Sequence, residues 1–118
     1  MKTKKELKKE YKELKPQMGV FQIRNLTDET LFIGSSADIP SIWNRMRFQL
    51  DFGSFPNQEL QQAWTEKGKD NFAFEVLSEL EHKDEQTPNS IKDDLKDLER
   101  MVREELAAND KVLINPAK

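Results

Sequence analysis

Two short apolar motifs, each carrying a glycine, constrain the fold of this chain more than any other feature. GVF stands at residues 19–21 and FIG at residues 32–34, with ten residues between them. The pattern around them predicts two strands, residues 17–25 and 30–33, joined as an antiparallel hairpin. Residues 34–36 are expected to end the second strand. Glycine within a strand is unfavourable unless another group approaches the backbone closely. The two glycines therefore either mark such a close approach or are tolerated beside two core phenylalanines.

Two helices are predicted directly after the hairpin. Asp38 or Ser36 can cap the first, which runs to about Phe52 with one apolar stripe. Asn57 can cap a shorter second helix, which Gly68 closes. Both helices bear apolar residues on one side only, so they are expected to cover a face of the sheet.

The last third of the chain predicts a further strand and a long helix. Residues 71–77 alternate between apolar and polar, as a half-buried strand does. Residues 81–90 are polar and are interpreted as a loop, after which Asn89 or Ser90 opens an amphipathic helix. Residues 112–114 form a short extended tail. The expected class is α+β, a small three-stranded antiparallel sheet flanked by helices.

The first sixteen residues differ in character from the rest. Leu7, Tyr11 and Leu14 recur at helical spacing, which predicts an amphipathic helix that Pro16 stops. This segment carries seven lysines against three glutamates. The lysines are either a solvated helix face or a basic arm for a phosphate backbone. We therefore divide the chain into a basic helix, residues 1–16, and a domain, residues 17–118.

Composition narrows the classes of function. The net charge is −3, and residues 61–118 carry nine basic side chains against fourteen acidic ones. A nucleic-acid contact must therefore use a local patch, for which Arg24, Arg45, Arg47 and the lysines of residues 2–15 are candidates. The absence of cysteine excludes disulfides and thiolate metal sites. No apolar run is long enough for a membrane span and no secretory signal is seen, so we expect a cytoplasmic protein. Nothing in the sequence demands an oligomer, so we expect a monomer, and we expect no small-molecule cofactor.

The order of these features resembles the GIY-YIG nuclease superfamily. The two motifs stand where that family has Gly-Ile-Tyr and Tyr-Ile-Gly, and Trp43 lies on the helix that follows. The resemblance spans about residues 17–116 and ends at Asn115, where the family often has an asparagine. It implies hydrolysis of phosphodiester bonds in DNA, with Mg²⁺ or another divalent metal held by one glutamate of the last helix.

Carried over position by position, the resemblance assigns the metal ligand to Glu99. It assigns to Asn115 the fixing of a phosphate or of the metal shell. Phe21 and Phe32 stand where two tyrosines position and activate water, and neither has a hydroxyl group. Losing one positioned acid–base group typically costs about 10²–10⁴ in rate.

The family's phosphate-stabilising arginine corresponds to Ile42, which carries no charge. Arg45 lies about one helical turn further along and could reach the same side. The missing hydroxyl could pass to Ser35 or Ser36, or to metal-bound water alone.

Three functions follow as hypotheses. The domain engages DNA and cleaves it with a metal, binds nucleic acid without cleavage, or binds a protein through its acidic C-terminal half.

Overall fold

The centre of the sheet is the strand β1, Met18–Asn25, which is the first half of the predicted hairpin. All of its residues except Arg24 are buried. The strands β2, Leu31–Ser36, and β3, Phe72–Leu80, pair antiparallel with its two edges, in the order β2-β1-β3. The predicted three-stranded antiparallel sheet and the α+β class are confirmed.

The computed structural model describes residues 16–82 and 86–115. The predicted basic helix therefore lies outside the described residues, and the domain boundary after residue 16 stays a prediction. Within the described part of the chain, no helix is both long and apolar enough to cross a membrane.

Two helices follow the hairpin as predicted. The helix α1 spans Ile39–Phe52 and the helix α2 spans Gln58–Lys67. Of the two candidate caps of α1, Asp38 takes the role, because its side chain accepts a hydrogen bond from the backbone amide three residues later. Asn57 caps α2 in the same way. These caps fix where both helices leave the loops that precede them.

The long helix α3 spans Pro88–Ala108 and begins earlier than the sequence predicts. The prediction that Asn89 or Ser90 opens it was wrong. Thr87 is the cap, because its hydroxyl accepts a hydrogen bond from the Ser90 amide at 3.1 Å. Proline suits the first helical position since its fixed φ is helical and it has no amide that needs a partner.

The strand β2 continues further than predicted. Residues 34–36 were expected to end the strand, and this was wrong. Gly34 pairs with Phe21, and Ser36 pairs with Gly19. The ladder continues because an extended serine can pair as any strand residue does, and because the glycine leaves space for the phenylalanine ring across from it.

The two faces of the sheet carry different cores. On one face, α1 and α2 pack on Phe21 and Ile23, and the cluster is rich in aromatic rings. On the other face, α3 and the tail pack on aliphatic side chains of β1 and β2. The predicted separation of Phe21 and Ile23 from Val20 is confirmed. The residues of the aliphatic cluster are Val20, Leu31, Ile33, Leu98, Val102, Leu106 and Leu113.

Candidate functional site

The glycines of the hairpin are explained by close contacts. A Cβ atom at Gly34 would lie 2.5 Å from Cζ of Phe21, the residue paired with it across the strands. A Cβ atom at Gly19 would lie 2.1 Å from the backbone oxygen of Ser78 on β3. Both separations are far shorter than real Cβ contacts, so a side chain is excluded at these positions. Of the two alternatives for these glycines, the structure shows a close approach at both motifs.

The two motif phenylalanines lie on the same face of the sheet and are used in packing. Phe21 is buried, with its ring centroid 5.1 Å from that of Phe74. Phe32 is half-buried and makes an edge contact with Phe55 at 5.5 Å. Neither ring carries a group that can donate, accept or ionise.

Glu99 lies on α3, the helix that covers the other face of the sheet. Its Oε2 atom is 3.0 Å from Nε of Arg103, one helical turn later. The Glu99 side chain is 27% exposed and that of Arg103 is 11% exposed. An ion pair this sheltered is screened far less by solvent than a surface pair. The carboxylate assigned to a metal thus already has a cationic partner.

Asn115 is held at the outer edge of β2. Its side-chain oxygen accepts a hydrogen bond from the Ile33 amide at 2.8 Å, and its side-chain nitrogen donates to the Ile33 carbonyl oxygen. Arg103 donates to the same Ile33 oxygen at 3.2 Å and to the backbone oxygen of Asn115. We call Ile33, Glu99, Arg103 and Asn115 the β2-edge cluster. It joins strand, helix and tail.

Sequence reasoning missed Arg103, the residue that joins this cluster together. Two signals were present: it follows Glu99 by four residues, and it stands next to the inward-facing Val102. A glutamate and an arginine at this spacing form an ion pair on a helix surface. Its further bonds to Ile33 and Asn115 required the tertiary structure, because those residues are distant in sequence.

The three arginines predicted to contact nucleic acid make no contact with the β2-edge cluster among the described residues. Arg24 pairs with Glu75 across β1 and β3, at 2.9 Å from its Nε atom to the carboxylate, and with Glu29 at 3.4 Å. A phosphate would have to compete with these two carboxylates. The prediction for Arg24 remains untested.

The remaining two predicted arginines lie on the exposed side of α1. Arg47 donates to the side-chain oxygen of Asn44 at 3.2 Å, and its guanidinium lies 6.0 Å from the centre of a Trp43 ring. Arg45 has no ion-pair partner among residues 16–82 and 86–115. These side chains belong to the helix that covers the aromatic face of the sheet.

The predicted site residues thus fall into two groups. Glu99 and Asn115 meet through Arg103 at the edge of β2, whereas Phe21 and Phe32 lie in the aromatic core on the other face. Of the two serines proposed to supply a hydroxyl, Ser36 accepts a hydrogen bond from the Asp38 amide at 2.9 Å. Its oxygen is therefore engaged in the turn before α1.

The residues of the β2-edge cluster do not fit a divalent metal. Glu99 supplies one carboxylate, which Arg103 neutralises, and the side-chain oxygen of Asn115 is bonded to an amide. A dication here would face a guanidinium, and Mg²⁺ is held in proteins by carboxylates and substrate phosphates. Within the described residues, no three acidic or histidine side chains come together as a group that could hold a metal ion.

The sheet order, the flanking helices and the hairpin together define the GIY-YIG nuclease fold. The catalytic domain of homing endonuclease I-TevI has the same fold, with a TM-score of 0.65, 23% sequence identity and coverage of 84% of this chain and 99% of that one. A point mutant of the catalytic domain of intron endonuclease I-TevI has a TM-score of 0.63 and 21% sequence identity, with coverage of 86% of this chain and 97% of that one. No family model and no curated protein sequence matches significantly. The likeness therefore shows the fold, and function must be argued from the site.

Proposed function

We propose that this chain is a GIY-YIG-fold domain that binds DNA without cleaving it by metal-dependent hydrolysis. The observation that carries the proposal is the ion pair of Glu99 with Arg103, at the position where the resemblance puts the metal ligand. Three further family positions lack their reactive groups, since Phe21, Phe32 and Ile42 replace two tyrosines and an arginine. The domain therefore keeps the fold, but it lacks a free carboxylate for the metal, the two tyrosine hydroxyl groups and the arginine that stabilises the phosphate. Without these groups we expect no hydrolysis.

The distribution of charge supports DNA contact through the lysine-rich start of the chain. Residues 1–16 carry seven lysines against three glutamates, whereas residues 17–118 carry twelve basic side chains against nineteen acidic ones. A phosphate backbone is repelled by an acidic domain and attracted by a basic arm, so the arm supplies the affinity. The exposed Arg47 is the candidate on the domain itself.

Binding is tested with the full chain and labelled DNA at increasing salt. About four to seven lysine–phosphate contacts should give a slope of log K against log salt of about −4 to −6. Changing the seven lysines of residues 1–16 to glutamine should abolish this binding. Changing the three glutamates of the same segment to glutamine is the matched control and should strengthen it. A DNA affinity that is the same in the unmodified chain and in both variants would contradict the proposal.

Cleavage is tested separately with plasmid and oligonucleotide DNA in Mg²⁺ and in Mn²⁺. We expect no products above those of a Glu99→Ala variant. Metal-dependent nicks that disappear in Glu99→Ala would show that the carboxylate still holds a metal, and the proposal would be wrong on this point.

A second candidate function is supported by the acidic domain. Residues 61–118 carry fourteen acidic side chains against nine basic ones, a surface that suits a basic protein partner better than a nucleic acid. Failure of the full chain to bind DNA, together with stable capture of a partner by pull-down, would favour it.

A further inference from the structure

The strand β3 lies at one edge of the sheet, and none of the residues 16–82 and 86–115 pairs with its outer side. Two neighbouring apolar side chains of β3, which we call the β3 pair, are exposed: Val76 to 40% and Leu77 to 37%. Val76 pairs with the buried Phe21, and a register shift leaves Leu77 outside the pairing. Native proteins usually charge or cover an edge of this kind. The tail covers the other edge of the sheet, whereas β3 combines an open edge with exposed apolar side chains.

The chain continues into its lysine-rich first fifteen residues from a point beside the end of β3. The backbone oxygen of Pro16 lies 2.6 Å from Nε2 of His82. The side-chain nitrogen of Gln17 donates to the Glu79 carboxylate at 3.4 Å. Because Glu79 follows the β3 pair by only two residues, the first fifteen residues are attached close to the exposed side chains.

The length of the attached segment matches the distance to the β3 pair. Residues 3–15 carry one apolar stripe at helical spacing, which we call the N-terminal stripe: Leu7, Tyr11 and Leu14. Along a helix, at about 1.5 Å per residue, this stripe extends from about 3 to about 14 Å before Pro16. Along a strand, at about 3.3 Å per residue, the β3 pair lies about 7–10 Å before Glu79. A helix that ends at Pro16 and turns back along β3 therefore brings the stripe level with the pair.

The balance of charge favours β3 over a second exposed apolar surface on α1. That surface consists of Phe48, which is 63% exposed, and Phe52, which is 73% exposed, on a helix with two arginines against one aspartate. Residues 72–82 instead carry three glutamates and no lysine or arginine. Residues 1–16 carry seven lysines against three glutamates, so they are attracted to β3 and repelled by α1.

We propose that residues 3–15 dock as an amphipathic helix along β3, with the N-terminal stripe packed on the β3 pair. The stripe and the pair then remove each other from water, and the helix covers the open edge. A weak contact is sufficient, because a short tether holds the segment beside its docking surface at an effective concentration of about millimolar.

Docking determines which lysines face outward. At about 100° per residue, Lys5, Lys9 and Lys12 lie on the side of the helix opposite to the N-terminal stripe. They form one row on the surface of the docked helix, and this row is the one that contacts DNA. The assignment of the row to DNA rests on the proposed function, whereas the docking does not depend on it.

The first test is NMR of the full chain, in which Tyr11 is the only tyrosine. Docking predicts nuclear Overhauser contacts between the Tyr11 ring and the methyl groups of the β3 pair. These contacts should weaken in Leu14→Ser, which removes another member of the stripe. Contacts of Tyr11 with Phe48 or Phe52 instead, or with no residue of the domain, would overturn the proposal.

The second test is a double-mutant cycle measured by denaturant titration. Leu7→Ser and Leu77→Ser should each lower the ratio of folded to unfolded chain about three- to tenfold. The double variant should lose at least about threefold less than the product of the two, because both changes remove the same contact. Lys9→Ser lies on the opposite side of the segment and is the matched control, which should show no coupling to Leu77→Ser. Effects that multiply in both pairs would mean that the stripe does not contact β3.

A lysine variant separates the docking from the proposed DNA function. Changing Lys5, Lys9 and Lys12 to glutamine should weaken DNA binding about tenfold or more at low salt and leave the contacts of Tyr11 unchanged. Tyr11 contacts in a chain that does not bind DNA would support the docking and contradict the proposed function. DNA binding by a chain without these contacts would support the proposed function and overturn the docking.

Discussion

The two halves of the hairpin motif hold different positions in the molecule. Residues 19–21 lie on the central strand and are buried, so their identities are set by packing. Residues 32–34 lie on β2, where Phe32 and Gly34 are half-buried and the backbone of Ile33 is bonded by Arg103 and Asn115. The first half therefore reports on the fold, whereas the second half borders the β2-edge cluster, which contains the family positions Glu99 and Asn115.

The largest effect is expected in the first half. In Gly19→Ala, the new Cβ atom would lie 2.1 Å from the backbone oxygen of Ser78, and a paired strand cannot move aside locally. We expect a loss of about 3–5 kcal/mol in the free energy of unfolding, measured by denaturant titration. Gly53→Ala is the control. Both glycines have a positive φ, 156° at Gly19 and 79° at Gly53, but Gly53 has open space around it, so about 1 kcal/mol should be lost.

A smaller effect is expected beside the second half. Arg103→Met keeps most of the side-chain volume but removes the bonds to Glu99, Ile33 and Asn115. We expect a loss of about 1–3 kcal/mol, because a sheltered carboxylate and a carbonyl oxygen lose their donor.

The matched control for that variant is Arg100→Met on the same helix. Arg100 has one exposed ion pair, with Asp97 at 3.8 Å, so its removal should change the free energy of unfolding by less than about 0.5 kcal/mol. Equal effects at the two positions would mean that the β2-edge cluster contributes nothing beyond a surface ion pair.

The smallest effect is expected in the turn that joins the two halves. The side chain of Asp28 accepts two hydrogen bonds from Thr30, one from its hydroxyl at 2.7 Å and one from its backbone amide at 3.0 Å. These bonds lower the pKa of the Asp28 carboxyl. Thr30→Val should raise that pKa towards its ordinary value, as measured by NMR titration. Thr27→Val should leave it unchanged.

The sign of the pH dependence follows from that lowered pKa. Since the pKa is lower in the folded state, the bonds stabilise the fold above the unfolded-state pKa and lose their effect as pH falls through the folded-state value. The deficit of Thr30→Val, below about 1 kcal/mol, should therefore be present at neutral pH and vanish in acid.

Local patterns in the sequence were enough for most of the fold. Alternation around the two motifs predicted the hairpin, and Asp38 and Asn57 marked the helix starts. The errors arose where several local signals compete. Thr87, Asn89 and Ser90 can all cap a helix, and the proline after Thr87 decides in its favour.

The candidate site was less predictable. Glu99 and Asn115 came only from the family resemblance, since nothing in their neighbourhood marks them. The bonds of Arg103 depend on a strand and a tail that lie 70 and 12 residues away in sequence. The exposed Phe48 and Phe52 fell outside the apolar stripe, and only the structure shows that no described element covers them.

The contacts of the tail with β2 have a consequence for how the protein reaches its fold. Leu31 exchanges backbone hydrogen bonds with Val112 and Ile114, and Asn115 occupies the amide and carbonyl of Ile33, so an edge strand is covered. Unpaired strand edges are templates for aggregation. Contacts between residues 82 positions apart form late, because a long loop must close first. Until Asn115 has bonded to Ile33, every folding molecule exposes the outer edge of β2. Aggregation through that edge then competes with completion of the fold.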